Sequence, residues 1–382
     1  MNEDKASRYQ RLRRRAVVLA AVWTLLLLVA LLLTGGAQVV RDLSESAVAR
    51  LPVPASTRWA AVTALFVLAL FVIHQAGALP AAYYAGVTLE RRYGLSHRPA
   101  DAWLGYHLKT VAIGAGFALA AAVWTYGGLR LVPAWWWLGV WLAAVAGSVL
   151  LTWVAPVGLF PVFHRCTILA HEGLRDRLAS LAARAGIPVL GVFEWKLGDR
   201  TSRANAALVG LGRTRRILVS DTLVAGYTED EVEVVFAHEL AHHVHRDVWR
   251  TLAYQAIILG LGLWAAHMAL GRLAAPLALR DEADVAGLPL VVLCLAVGSA
   301  LGRPVGNALS RVQEQRADRF ALDLTEKPDA FANAIRRLSA RHLVEDDPSR
   351  WVKVLFCTHP SVRDRLAFAR VWSPRHSGGG RK

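Results

Sequence analysis

The sequence contains few cysteines and few charged residues, and each shortage excludes a class of protein. Cys166, Cys294 and Cys357 are the only cysteines among 382 residues and form no C-x-x-C pair. Neither a disulfide framework nor a thiolate metal site is therefore expected. Charged residues make up 19% of the chain, whereas a soluble protein carries about 25%. Because the hydrophobic 55% is concentrated in uninterrupted apolar runs, we expect an integral membrane protein with a soluble portion.

Acidic residues are also in deficit, which leaves a net charge of +15. Positive loops beside anionic lipid account for such an excess in a membrane protein. No segment concentrates arginine with aromatic residues as a nucleic-acid-binding module does. The expected partner of the basic surface is the lipid bilayer, and no nucleic-acid partner is expected. Arginine supplies 38 of the 44 basic residues, a bias that suggests a GC-rich bacterial genome.

Six apolar segments approach or exceed the length that a bilayer-spanning helix needs, which is about 20 residues. The first is preceded by Arg11 and Arg13 to Arg15, and its 18 apolar residues favour a retained anchor over a cleaved signal peptide. The segments are Ala16–Leu33, Trp59–Leu79, Val111–Gly127, Ala134–Val154, Thr251–Leu270 and Val285–Leu301.

The distribution of Lys and Arg predicts the orientation of these segments. With the N-terminus inside, the short inner stretches 1–15 and 80–110 carry ten basic residues, and the outer stretches carry six. We expect a multi-pass protein of the cell (inner) membrane, and the positive-inside rule favours a cytoplasmic N-terminus. It places the two long polar stretches, 155–250 and 302–382, together in the cytoplasm.

This pattern divides the chain into four parts. Residues 1–154 form an N-terminal membrane region with four transmembrane helices, and residues 251–301 form a transmembrane hairpin. Residues 155–250 read as an α+β unit that begins with a helix over Glu172–Ala185. Short strands are predicted over Val189–Lys196, Ala206–Leu211 and Ile217–Ser220, with a turn at 212–215 between the last two. Residues 302–382 complete the polar part and end in a flexible glycine-rich tail.

The strongest chemical signal is the sequence His238-Glu239-Leu240-Ala241-His242. Thr228 and Glu231 form a capping box that predicts a helix through this motif. Residues four apart share a helix face, so both imidazoles can reach one metal ion, with Glu239 beside them. H-E-x-x-H on a helix is typical of zinc metallopeptidases, in which the glutamate acts as general base.

A catalytic zinc takes three protein ligands, so a third must come from elsewhere. A histidine six residues after His242 is excluded, because Val248 occupies that position. His245 is one alternative, although with His243 and Arg246 it could instead form a polar face near the membrane surface. The other alternative is a distant carboxylate.

The best distant candidate follows the sixth apolar segment. Asn307, Arg311, Glu314 and Asp318 recur at intervals of four, three and four residues, which places them in one stripe along a helix. An ordinary solvated helix face would show the same pattern, so the spacing alone does not decide between the two.

Together these motifs resemble the integral-membrane CAAX prenyl endopeptidases, a gluzincin family related to HtpX-type membrane proteases. H-E-L-A-H is followed by an apolar hairpin and by N-A-L-S-R-V-Q-E-Q-R-A-D over 307–318. Further matching stretches are E-R-R-Y-G-L at 90–95, A-N-A at 204–206, I-L-V-S-D-T-L at 217–223 and T-H-P-S at 358–361. The resemblance implies a mainly α, polytopic membrane protein with a cytoplasmic zincin-like α+β metallopeptidase domain. The eukaryotic members have seven membrane helices, whereas six are counted here.

The resemblance also assigns roles to individual residues. It implies that His238, His242 and Glu314 bind one zinc ion per chain and that Glu239 is the general base. Asp318 matches a position described as a proton donor or as a partner of a zinc ligand, and the second role suits a carboxylate one turn beyond Glu314.

The remaining matches concern the substrate. His359 matches a histidine thought to stabilise the oxyanion, although a cap of the C-terminal helix beside Pro360 is an alternative. Asn205 and Ala206 match an edge strand that pairs with an extended peptide, and Arg365 matches a position near the substrate. The expected partner is a peptide or membrane-protein substrate.

Three other functions would leave part of the pattern unexplained. A non-catalytic scaffold has no need of Glu239, and a transporter has no need of the metal motif. An intramembrane site-2-type protease would carry H-E-x-x-H inside an apolar helix, but here acidic residues at 229–233 precede it. If the host is bacterial, turnover of misfolded or signal-like membrane proteins, as in HtpX-type proteases, is favoured over cleavage of farnesylated proteins.

Overall fold

A computed structural model of the chain describes residues 4–154, 166–198, 201–210, 212 and 215–373. In this part of the chain six helices are long and apolar enough to cross a membrane, which confirms the number predicted. They span Lys5–Leu33, Arg58–Arg92, Ala100–Leu131, Trp136–Val154, Asp247–Leu273 and Val285–Thr325. The predicted glycine-rich tail lies outside the described residues.

The N-terminal region contains the first six helices. Arg58–Arg92 is interrupted by a π-helical turn at Tyr84–Thr88, which separates its last four residues as a short helix. The helices are α1 (Lys5–Leu33), α2 (Gly36–Ala49), α3 (Arg58–Tyr83), α4 (Leu89–Arg92), α5 (Ala100–Leu131) and α6 (Trp136–Val154).

Helix α2 was not predicted, because it is too short and too polar to cross a bilayer. It starts after Gly35, whose φ of 75° turns the chain back after α1. Its buried residues recur at helical spacing and form one face: Ala37, Arg41, Ser44 and Val48. Arg41 donates to Asp284 at 2.5 Å, so this face closes the end of the membrane bundle.

The membrane helices bury large side chains against one another and expose others around the bundle. Phe66, Tyr126 and Trp136 lie in one continuous cluster between the helices. Leu150 and Trp153 of α6, by contrast, are exposed, as expected of side chains that face lipid.

The polar part contains a four-stranded sheet in the order β1-β2-β4-β3. Strand β2 runs parallel to β4, whereas β1 and β3 are antiparallel edge strands. The strands are β1 (Cys166–Ile168), β2 (Val192–Trp195), β3 (Ala206–Val209) and β4 (Arg216–Ser220). The last three agree with the predicted strands, and β1 was not predicted. The predicted turn between β3 and β4 includes residues outside the described ones.

Helices pack on this sheet and enclose a second core. Leu178, Ile217 and Phe236 are fully buried within it. The helices of the polar part are α7 (Glu172–Arg184), α8 (Asp221–Gly226), α9 (Glu229–Val244), α12 (Pro328–His342), α13 (Arg350–Phe356) and α14 (Val362–Val371).

A helical hairpin joins the two stretches of the polar part. Helix α10 (Asp247–Leu273) leads away from the sheet, and the 38-residue α11 (Leu288–Thr325) returns without interruption. Where the two helices cross, a Cβ on Gly298 would lie 3.7 Å from Cα of Gly262, a close approach that small residues permit in membrane helices. Helix α10 begins before residue 250, and α11 continues beyond residue 301. The predicted domain boundaries at these two residues therefore lie within continuous helices.

The two polar stretches meet through a cluster of charges. Lys327 donates to Asp230 at 2.7 Å and to Glu233 at 2.6 Å. Arg177 of α7 donates to the same two carboxylates. Residues 166–250 and 302–373 therefore form one polar unit at one end of the hairpin.

Candidate active site

The H-E-x-x-H sequence lies on α9 as predicted. The hydroxyl of Thr228 accepts from the backbone of Glu231, and the Glu231 side chain accepts in return from the backbone of Thr228, which completes the capping box. The rings of His238 and His242 lie one turn apart, with centroids separated by 5.1 Å. Both rings lie on the same face of α9, because residues four apart in a helix share a face.

Glu314 of α11 approaches both histidines. Its Oε2 lies 3.1 Å from Nε2 of His238, and its Oε1 lies 3.6 Å from Nε2 of His242. One candidate ligand atom from each of the three residues lies within 4.8 Å of the others. The structure thus brings together three residues that are separated by as many as 76 positions in the sequence.

The donor set fits a divalent metal ion. Oε2 of Glu314 is buried and has no aligned hydrogen-bond partner among the described residues, so its close approach to His238 is not explained by a bond between them. Two imidazole nitrogens and one carboxylate make the His₂Glu ligand set that catalytic zinc uses in some peptidases, with one position left for water or substrate.

Asp318 and Arg365 lie on the Nδ1 side of His238, opposite the nitrogen that Glu314 approaches. Oδ1 of Asp318 lies 2.9 Å from Nδ1 of His238. Arg365 donates to both carboxylate oxygens of Asp318, at 2.8 and 2.5 Å. Burial opposes protonation of His238, but the Asp318 and Glu314 carboxylates outweigh it and raise the pKa of His238 to about 10. This position of Asp318 suits the orientation of an imidazole ligand.

Asp247 supports His242 in the same way and was missed by the sequence analysis. Nδ1 of His242 donates to Oδ2 of Asp247 at 3.0 Å. Arg316 of α11 donates to the other oxygen of this buried carboxylate at 2.7 Å. The sequence did contain a signal for this contact, because Asp247 is an acidic residue five positions after His242, just beyond the end of α9. Its pairing depends on Arg246, whose φ of 57° turns the chain into α10.

Glu239 lies beside the histidines and faces the adjoining cavity. Burial raises the pKa of Glu239, while the neighbouring His238 and His242 partly oppose that shift. A carboxylate with a raised pKa is suited to accept a proton and pass it on near neutral pH.

His359 reaches the same site from the loop before α14. Its Nε2 lies 3.3 Å from Oε1 of Glu314, and 59% of its side chain is exposed. The alternative role as a helix cap is wrong, because the hydroxyl of Ser361 caps α14 by accepting from Asp364.

A cavity of about 280 Å³ opens beside these residues. Its lining includes Ala204, Asn205 and Ala206, together with the charged side chains Glu239 and Arg365. The apolar lining is Val234, Val235, Phe331, Ala334, Ile335, Leu338, Val344, Pro360 and Val362. All the residues predicted to contact substrate, Asn205, Ala206 and Arg365, therefore border the cavity.

The other candidates of the sequence analysis lie elsewhere. His245 ends α9, and its ring contacts Phe320 at 5.7 Å, outside the His–His–Glu cluster. The ring of His243 donates to the carbonyl of Leu208 at 2.7 Å. Asn307 and Arg311, the first two members of the stripe on α11, donate to backbone carbonyls of the 353–357 segment.

Comparisons with known families cover most of the chain. The sequence model described as peptidase family M48 matches residues 169–373. A second, described as the CAAX prenyl protease N-terminal region with five membrane helices, matches residues 2–165.

Several curated proteins are similar to the chain. An uncharacterized metalloprotease, YhfN of Bacillus subtilis, is 30% identical over 61% of the chain and 56% of its own length. CAAX prenyl protease 1 of Saccharomyces cerevisiae is 25% identical over 75% of the chain and 67% of its own length. A protease HtpX homolog of Nostoc is 28% identical over 69% of the chain and 95% of its own length.

The fold is also similar to a solved structure. The crystal structure of S. mikatae Ste24p superposes with a TM-score of 0.84, over 96% of this chain and 88% of that one, at 19% identity. The combination of membrane helices with a peptidase domain is thus a known architecture.

Proposed function

The chain belongs to peptidase family M48, a family of metallopeptidases, and on that premise we propose that it is a membrane-embedded zinc endopeptidase. The observation that carries the proposal is the convergence of His238, His242 and Glu314 within 4.8 Å, at the edge of a cavity. Its substrates would be peptides or membrane proteins presented at the bilayer surface.

His238, His242 and Glu314 would hold one zinc ion. When bound, zinc would supply a Lewis acid that activates water and polarises the substrate carbonyl. Asp318 and Asp247 would hold the two imidazoles in fixed orientation, since each accepts or approaches the ring nitrogen that faces away from Glu314. Such partners also make an imidazole more basic.

Glu239 would act as the general base and then as the general acid. Its side chain borders the cavity where a peptide would lie, and its raised pKa favours transfer of the accepted proton to the leaving amine. His359 would donate a hydrogen bond to the substrate carbonyl oxygen as negative charge develops there. Its half-exposed ring beside Glu314 has access to the cavity.

A substrate would bind in extended form beside β3. This strand lies at the edge of the sheet, and Asn205 and Ala206 border the cavity. Addition of a peptide to such an edge would align its backbone by main-chain hydrogen bonds. Arg365 would lie among the polar groups that line the cavity, while the apolar lining would take a hydrophobic side chain of the substrate.

The family relationship does not distinguish the two substrate classes suggested by the relatives. We propose turnover of unprenylated membrane proteins, in keeping with a bacterial composition and with the HtpX-type relatives. The catalytic unit would face the cytoplasm from the cell membrane, as the basic residues of the inner loops favour.

Substitution of Glu239→Gln in the full-length, lipid-reconstituted protein tests the function. We expect zinc content to stay near one per chain while cleavage of β-casein falls by at least a hundredfold, because only the proton acceptor is removed. Glu172→Gln, a change at an exposed glutamate on α7, serves as the control and should retain both. Activity above a few percent of wild type in Glu239→Gln would overturn the assignment of the base.

A further inference from the structure

Tyr9, Glu90 and Arg203 form a polar cluster to which the proposed mechanism gives no role. The hydroxyl of Tyr9 donates to Oε1 of Glu90 at 2.5 Å. Nη2 of Arg203 donates to that hydroxyl at 2.8 Å and to the two oxygens of Glu90 at 2.9 and 3.1 Å. Because the three residues belong to α1, to α4 and to the chain that leads into β3, the cluster connects the membrane region to the peptidase unit.

A small apolar core surrounds this cluster. Tyr9, Leu89 and Leu95 are buried together, and the rings of Tyr9 and Tyr93 meet edge to face at 5.2 Å. Leu343, the residue after α12, packs against the same core. Hydrogen bonds to charged groups are stronger than neutral ones, and more so away from water. The cluster is therefore suited to hold these elements at fixed positions.

The cluster fixes the chain directly before the residues that line the cavity. Arg203 precedes Ala204, which is the first of three consecutive cavity-lining residues. The hydroxyl of Thr201 and the backbone N–H of Ser202 both donate to the carbonyl of Leu95, at 2.8 and 3.3 Å. Residues 201–203 are thus bonded to the region around α4 through the backbone as well as through the Arg203 side chain.

Helix α1 fixes a second cavity-lining segment, the one that follows α12. The side-chain amide of Gln10 donates to the carbonyl of Leu343 at 2.7 Å, and Arg14 donates to Glu345 at 2.8 Å. Val344, between these two contacts, lines the cavity. Successive residues of α1, at positions 9 and 10, therefore hold both segments.

A further bond joins the two segments to each other. Nε2 of His342 donates to the carbonyl of Ala204 at 2.9 Å, and both residues line the cavity. A displacement of either segment would therefore alter the shape of the cavity at the other. The contacts with α1 and α4 hold this joined pair from the membrane side of the chain.

We propose that Tyr9, Glu90 and Arg203 are positioning residues for the substrate and act through these two segments. The inference rests on the proposed function, because it concerns how that site binds its peptide. The metal ligands and Glu239 lie on α9 and α11, whereas the cluster fixes residues before β3 and after α12. Loss of the cluster should therefore weaken peptide binding more than it slows the chemical step.

Steady-state kinetics separate these two effects. The full-length protein in lipid nanodiscs is assayed with a quenched fluorescent peptide that carries a β-casein cleavage site, and each rate is divided by the bound zinc. We expect Glu90→Gln and Tyr9→Phe to raise KM about two- to tenfold, the range that corresponds to one net hydrogen bond. The kcat should stay nearly unchanged, as for a loss of binding alone.

A matched control lies on the same short helix. Arg92→Gln changes an exposed charge two residues after Glu90 and should leave both constants unchanged. A lower kcat at unchanged KM in Glu90→Gln would overturn the proposal. So would a lower melting temperature with both constants unchanged, because the cluster would then serve stability alone.

A double variant tests whether Glu90 and Arg203 act as one unit. Each single change removes the same contact, so Glu90→Gln/Arg203→Gln should raise KM no further than the larger single effect. Effects that multiply would show two independent contributions and contradict the proposed cluster.

A cross-link provides a test within a single protein. Ser96 and Thr201 pair in an antiparallel bridge, and the Cα atoms of such pairs lie about 4.5–5.5 Å apart, within the span of a disulfide. Ser96→Cys/Thr201→Cys is combined with Glu90→Gln in a background without the three native cysteines. Oxidation should lower the KM of this protein towards the wild-type value, and reduction should raise it again. A KM that stays raised in the cross-linked form would overturn the proposal.

The same assay distinguishes failure of this proposal from failure of the proposed function. An active wild type whose KM is insensitive to all three residues would contradict the positioning role alone. Equal cleavage by wild type and Glu239→Gln would contradict the proposed function, and the positioning role would fail with it.

Discussion

Asp247 accepts a hydrogen bond from Nδ1 of His242 and is held in turn by Arg316. Asp247 starts α10, and Arg316 lies on α11, so this contact links α9, which carries His238 and His242, to both helices of the hairpin. At His238 the corresponding carboxylate is Asp318, which lies beside Nδ1 of the ring and accepts from Arg365. His238 and His242 are thus each supported by a carboxylate that is itself fixed by an arginine.

Loss of Asp247 should weaken metal binding without removing a ligand. We expect Asp247→Ala to lower zinc affinity about 10- to 100-fold, the usual effect of removing a partner of a ligating histidine. Competition with a chelator of known affinity measures the change. Asp176→Ala, at an exposed position on α7, is the control. Equal zinc affinity in the two variants would show that Asp247 does not orient His242.

Glu314 should be required for metal retention as well as for activity. Glu314→Ala removes one of three donors, and we expect the purified protein to contain less than about a tenth of the wild-type zinc, because a three-ligand site becomes a two-ligand site. Glu282→Ala, in the loop between α10 and α11 at the opposite end of the hairpin, should alter neither metal content nor activity. Full zinc content in Glu314→Ala would place the third ligand elsewhere.

The contact between the two polar stretches should contribute to stability in a pH-dependent way. Burial raises the pKa of Glu233, but its bonds to Lys327 and Arg177 outweigh burial and hold that pKa below the ordinary value of 4.5. A carboxyl group whose pKa is lowered by folding stabilises the protein above the unfolded-state value, and the effect is lost as pH falls through the folded-state value.

We therefore expect Lys327→Met to lower the midpoint of thermal unfolding by about 3–6 °C at pH 7. The difference from wild type should persist down to about pH 5 and shrink below pH 4.5, as Glu233 is protonated. Lys353→Met breaks an exposed pair with Asp347 and should change the midpoint little. A pH-independent difference for Lys327→Met would mean that packing, and not charge, accounts for the effect.

Membrane topology must agree with the site. His242 and Glu314 meet only because α10 leads away and α11 returns, and one metal cannot bind ligands on both sides of a hydrocarbon core of about 30 Å. In a background without the three native cysteines, we expect Ala225→Cys and Asp329→Cys to react with a membrane-impermeant maleimide only from the cytoplasm. Ala275→Cys, in the loop between the helices, should react only from outside. Labelling of 225 and 329 from opposite sides would contradict the whole site.

Much of the fold could be predicted from the sequence because its signals are local. Each apolar run predicts a membrane helix from the cost of unpaired backbone groups in lipid, and the capping box of Thr228 and Glu231 predicts the start of α9. Helix α2 and strand β1 were missed for the same reason. One is too polar and the other too short to give a local signal, and both are held by contacts with distant residues.

For the site, the helical repeat alone places His238 and His242 on one face. Glu314 was a candidate from spacing and family resemblance, but its approach to the histidines depends on a hairpin that crosses away and returns. Asp247 depends on tertiary structure still more, because its contact with His242 follows the turn at Arg246 and is held by Arg316 of α11. Sequence periodicity predicts which residues share a helix face, because neighbours along the chain fix that face. The approach of Glu314 and Arg316 to the residues of α9 and α10 arises only when separate helices pack together.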